Sequence, residues 1–145
     1  MLLPSMLDYQ RQLIFASLDD FTPNDTFGNF CGGQYGPEPA LWKSAVINFL
    51  CMGVRCGLLE LTHRPDISVK RDVDKLRNLL LFGDLERDME VAVLWNVLYF
   101  DGTQELVEIM DKCDLCNWES LNKGVSEELV DLLKKYSQFR EKKLA

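Results

Sequence analysis

The chain has 145 residues, 47% of them apolar and 27% charged. That is ordinary globular usage and excludes a disordered or low-complexity polymer. A chain of this length fits one domain with one core, burying roughly 68–70% of its unfolded surface. The net charge of −7 and a pI near 4.7 argue against direct contact with nucleic acid or an anionic membrane surface, since both present phosphates.

The start, Met1-Leu2-Leu3-Pro4, lacks the basic region of a secretory signal, and the helix after it carries Asp8, Arg11, Asp19 and Asp20. The most apolar stretch, residues 40–61, is broken by Lys43, Asn48, Arg55 and Glu60, so it reads as a buried helix and not a membrane span. Five cysteines, an odd number with no leader, predict free thiols in a reducing cytoplasm.

In chain order, residues 5–20 predict a first helix, capped by Ser5 with Asp8 in the reciprocal position. Its face runs through Leu7, Gln10, Leu13, Ile14, Leu18 and Phe21, with Gln10 a polar interruption. Met6, Tyr9 and Phe15 lie off that line, so the helix is expected to be touched on two sides.

Residues 21–39 form a long loop rich in Gly, Pro and aromatics. A segment of that length without periodicity is uncommon in a small domain and is often functional. Its Phe27, Phe30 and Tyr35 are too apolar for a solvated tether and are expected to pack on the body or on a partner.

A central helix is predicted over residues 38–61, with Pro39 in its first turn. Gly53 and Gly57 share one face and cost roughly 1 kcal/mol each against Ala. Close approach of another helix would offset that; a kink, or an early end near Gly57 with residues 58–62 then extended, is the alternative. Residues 62–66 read as a connector holding His63, the sole histidine. A helix over 69–82 follows, capped by Asp66 or Ser68 and closed by Gly83.

Asp84 is expected to cap a buried helix over 85–100, a strand over 91–100 being the weaker reading. Asp101-Gly102 is expected to turn into a short amphipathic helix over 103–113. Residues 117–124 connect it, through Trp118, to a last helix capped by Ser126. That helix turns Leu129, Leu132, Leu133 and Tyr136 inward and is basic at its end. The expected fold is all-α: one compact domain, residues 1–145, of five or six helices with the one long loop at 21–39.

No catalytic constellation stands out. Cys113-Asp114-Leu115-Cys116 is a CxxC, but it ends a helix and no βαβ unit surrounds it. As half a zinc site it needs a second pair. Cys51 and Cys56 lie about 140° apart around a helix and do not supply one. The glycines of the loop match neither dinucleotide nor P-loop spacing. The reading therefore assigns no catalytic residue, no metal ligand and no cofactor.

Charge distribution is the strongest signal. Residues 84–119 hold ten acids and two bases, a net of −8, while the rest of the chain nets +1. Glu105, Glu108, Asp111 and Asp114 stand three apart on one short helix, where like charges repel and the last two oppose the helix dipole. Either bases of the chain neutralise this row (those of 70–77 or of the last helix) or a partner does.

A binding protein for a basic partner is the leading reading, most concretely an inhibitor of the kind that protects a bacterium from a nuclease or other toxin. Asp84, Glu86, Asp88, Asp101, Glu105, Glu108, Asp111 and Asp114 would face that partner. Trp118 would serve as an aromatic anchor, with Tyr99 or the 27–35 loop beside it. The alternatives are a subunit or adaptor that packs its apolar helices at 40–61 and 85–100 on another chain, and a small thiol-dependent enzyme using a cysteine with His63.

Overall fold

The computed structural model describes residues 3–63, 69 and 72–144, with side chains in the last helix described as far as Lys135. Helix α1 (Met6–Leu18) begins as expected. Ser5 Oγ accepts from the Asp8 N–H at 3.1 Å, and Asp8 Oδ2 accepts from the Ser5 N–H at 2.9 Å. The helix is touched on two sides. Leu13, Ile14 and Ala16 are buried, Tyr9 packs edge-on against Phe27, and Phe15 packs on Phe21 and Trp118.

The loop at 21–39 is not a solvated tether. Two 3₁₀ turns, Pro23–Asp25 and Gly33–Tyr35, break it up. Phe21, Phe27 and Phe30 enter the core, whereas Tyr35 points outward at 91% exposure. Its backbone is also fastened: the Phe27 N–H donates to Gln12 Oε1 at 3.0 Å, and Trp42 Nε1–H donates to the Thr26 carbonyl at 2.8 Å.

Helix α2 (Pro39–Cys56) stops where the alternative reading placed its end. Gly57 takes a left-handed conformation (φ 77°), its N–H returns to the carbonyls of Gly53 and Val54, and the Leu58 N–H bonds the Gly53 carbonyl at 2.8 Å. Gly53 does admit a close neighbour, but it is a strand side chain and not a helix. A Cβ on Gly53 would lie 2.4 Å from Leu59 Cδ1.

The all-α expectation is corrected here. The chain is mostly helical, but strand β1 (Leu59–Thr62) pairs antiparallel with β2 (Tyr99–Gly102), aligning Leu59 with Gly102 and Thr62 with Tyr99. A bridge between Phe21 and Phe100 extends this pair. Asp101-Gly102 is therefore strand and not turn. Gly102 is needed because a Cβ there would sit 2.6 Å from the Ala16 carbonyl oxygen.

Helix α3 (Val73–Phe82) is capped by Asp72, whose carboxylate accepts from the Lys75 N–H at 3.0 Å. The expected caps, Asp66 and Ser68, lie outside the described residues. The helix expected over 85–100 shrinks to α4 (Val91–Val97), because residues 84–89 close into a loop before it and β2 takes the residues after it. Helix α5 (Gln104–Lys112) is capped by Thr103, whose hydroxyl also donates to the Gly57 carbonyl at 2.7 Å. A 3₁₀ turn, Trp118–Asn122, leads to α6 (Glu127–Leu144), capped by Ser126 as expected. One cluster of buried side chains joins these elements, with Ile14, Trp42, Leu50, Leu80, Leu94 and Leu106 among its members.

Candidate partner-binding surface

The acids of 84–119 do not form one face. Asp84, expected both to cap a helix and to meet a partner, does neither: it is 3% exposed. Its Oδ2 accepts from the Arg87 guanidinium at 3.0 Å, and its Oδ1 from the Arg87 N–H at 3.3 Å. The backbones of Asp84 and Met89 exchange two hydrogen bonds of 2.9 Å. Together these bonds close a loop that carries Leu85, Glu86 and Asp88 on its outside. Asp88 takes φ +51° there, a conformation that Asp tolerates better than most residues.

The other predicted residues spread over two regions. Glu86 and Asp88 are exposed on the 84–89 loop, with Glu90 just before α4. On α5, Glu108 and Asp111 are exposed, and Glu105 is half-buried. Asp114 lies beyond the helix at φ +55°, exposed, with Lys123 Nζ at 3.9 Å. Trp118 is 48% exposed, its ring centroid 5.2 Å from that of Phe15, so one side is held and the other is open. Asp101 lies in β2 directly opposite Glu60, a like-charged pair of the kind that destabilises a strand ladder.

Internal neutralisation is limited among the described residues. Among the described residues Asp88, Glu90, Asp101, Glu108, Asp111 and Glu119 make no ion pair. Arg77, one of the bases considered for the α5 row, instead donates to Asn48 on α2 at 3.1 Å. The side chains of Arg140, Lys142 and Lys143 lie outside the described set, as do Lys70 and Arg71.

Two exposed apolar side chains were missed. Phe82 is 66% exposed and Leu85 is 85% exposed. Both line an open groove of about 810 Å³ together with Asp74, Lys75, Asn78 and Glu86. Periodicity carried half of that signal, since Phe82 falls off the α3 stripe of Leu76, Leu79 and Leu80.

The sulfur and imidazole groups point to no shared centre. None of the five cysteines forms a disulfide. Among the described residues, no group of three or more His, Cys, Asp or Glu side chains is placed to hold a metal ion. His63 is exposed, 2.5 Å from Asp20 Oδ2 through Nε2 and edge-on to Tyr99, so its neighbour is a carboxylate and not a thiol. Burial pushes the thiols of Cys51 and Cys113 above their ordinary pKa, with Glu128 adding to the effect at Cys113. That is opposite to what a nucleophilic cysteine requires.

A pH prediction follows from those two thiols. A thiol with a raised folded-state pKa stays neutral in the fold while the unfolded chain gives up its proton. Its contribution is full below the ordinary value, near 9, and is lost as pH climbs through the folded value. Urea midpoints should stay level up to about pH 8 and fall above about pH 9. The Cys51→Ala, Cys113→Ala double variant should fall less steeply; an equal slope would remove the thiols as the cause.

No helix among the described residues is long and apolar enough to cross a membrane. No family model, curated protein or solved structure matches the chain.

Proposed function

We propose that this chain is an acidic protein-binding module of the cytoplasm, and most concretely an inhibitor of immunity-protein type that neutralises a basic, nuclease-like toxin by direct contact. The observation that carries the reading is the set of surface carboxylates with no ion pair among the described residues: Asp88, Glu90, Asp101, Glu108, Asp111 and Glu119. Like charges left together cost the free protein stability. A basic surface would relieve that repulsion and would be drawn in at long range. Cationic residues that normally grip phosphates are the kind of surface such carboxylates fit.

The subunit or adaptor reading relied on apolar faces at 40–61 and 85–100. In the fold these faces are mostly used internally: Trp42, Val46, Leu50 and Val54 on α2, and Leu94, Trp95, Leu98 and Phe100 after it, are buried, while Met52, Leu85 and Val93 are the large apolar side chains of those segments that stay exposed. This favours the inhibitor reading over the subunit one.

The test begins with the chain as bait in an extract of its native source at low salt, followed by a salt gradient. A basic protein should elute late, and its activity should fall on stoichiometric addition of this chain. The Glu108→Lys, Asp111→Lys variant should keep its fold, because both positions are exposed on α5. It should associate roughly tenfold more slowly, with a shallower salt dependence and a nearly unchanged off-rate. An unchanged on-rate would take α5 out of the contact. A bait that retains nothing basic would sink the proposal.

A further inference from the structure

We infer that Leu85 and Phe82 are the apolar anchor of this contact, entering a recess that the basic partner rings with Lys or Arg. The inference rests on the acidic-module reading and adds to it where the partner is gripped. A Leu at 85% exposure and a Phe at 66% on one groove form an apolar surface that the fold leaves uncovered. Scattered apolar residues at a surface are ordinary, but here the two share a groove whose lining is net negative, Asp72, Asp74, Asp84 and Glu86 standing against Lys75 and Arg87.

The local charge selects the occupant. Residues 82–90 hold four carboxylates and one base, a net of −3. The base, Arg87, bonds the buried Asp84 at 3.0 Å and lies 3.9 Å from Glu86. Glu86, Asp88 and Glu90 are left exposed on the loop, with Asp74 on the groove wall. An acidic or neutral apolar partner would meet repulsion or uncompensated desolvation at this rim; a cationic rim around an apolar recess matches both features.

The loop is already ordered before any partner arrives. The paired backbones of Asp84 and Met89 hold its base, and Asp84 holds Arg87. Gly83 takes φ +83° where a Cβ would fall 2.5 Å from the Met89 carbonyl oxygen. Leu85 is thus presented by a fixed backbone, so little conformational entropy remains to be lost on contact. Asp84 acts as a positioning residue that no partner touches.

The experiment places a photo-crosslinking benzoylphenylalanine at position 85, and separately at Val125, another exposed apolar position, in the full chain. Each form is irradiated in extract of the native source. Binding to the crosslinked protein, once identified, is then measured for the parent, Phe82→Ser/Leu85→Ser and Glu86→Lys/Asp88→Lys. The expected result is a crosslink from 85 and not from 125 to a basic protein. Its affinity should fall roughly tenfold to a hundredfold in the serine variant, mainly through the off-rate, with thermal melting unchanged. The lysine variant should lose on-rate. Should the double serine variant not fold, Leu85→Ser alone carries the test, because that side chain lies in solvent.

If a basic partner elutes with the parent and binds the serine variant within twofold, the anchor is overturned while the acidic-module reading stands. A crosslink to an acidic protein, or to a second copy of this chain, overturns the proposed occupant. Retention of no basic protein by any form overturns both.

Discussion

Trp42→Ala is expected to lower the unfolding free energy by about 3–5 kcal/mol, a large share of the roughly 5–15 kcal/mol that stabilises a domain of this size. Two effects add. The indole is fully buried, its centroid 5.6 Å from that of Trp95, so its removal leaves a cavity in the core. Its Nε1–H also donates to the Thr26 carbonyl at 2.8 Å and so attaches the 21–39 loop to α2. Trp42→Phe separates the two: most apolar volume remains, the donor is lost, and a buried carbonyl is left unmet at about 1–3 kcal/mol. Urea midpoints give the magnitudes. Faster amide hydrogen exchange at residues 26–36 in both variants would place the loss in the loop. A Trp42→Phe protein as stable as its parent would mean that Phe27 and Phe30 hold the loop without that bond.

Gln10→Ala should cost about 2–4 kcal/mol and loosen α6 ahead of everything else. Gln10 is fully buried in α1. Its Nε2 donates to the Gly124 carbonyl at 2.9 Å, and its Oε1 accepts from the Ser126 N–H at 2.8 Å. These bonds tie the first turn of the last helix to the first helix of the chain. Arg11 adds a third tie, from Nε to the Leu121 carbonyl at 3.1 Å. Of the α6 side chains described, Leu129 is fully buried while Leu132 and Leu133 only partly cover the core. With Gln10 truncated, two backbone groups lose their partners where little else holds the helix. Hydrogen exchange should show α6 opening at lower urea than α2. Single-step unfolding of both helices, with a loss below about 1 kcal/mol, would show that water replaces the amide there.

The difference between pattern and fold is sharpest around these same residues. Gln10 reads as a blemish on an apolar face, because periodicity ranks side chains by hydropathy alone. Its use depends on a peptide group more than a hundred residues away. Asp84 reads as a surface acid and a helix cap, because Asp before an apolar run has that local meaning. Arg87 and the Met89 backbone draw it inward and leave Leu85, an apolar residue, in solvent.

The sequence by itself determined the helix starts that rest on neighbours three residues apart, at Ser5 and Ser126, and the glycine stop at Gly83, while the stop at Gly57 is only the second of the two ends it allows. It also determined the concentration of acid in 84–119. These features depend on short-range bonds, backbone torsion or plain composition, all of which a linear chain displays. Tertiary structure alone decided that residues 59–62 and 99–102 become paired strands, since each needs the other to satisfy its backbone. It also decided which acids are buried and which stay free, because a carboxylate's role follows from what lies across from it and not from its place in the chain.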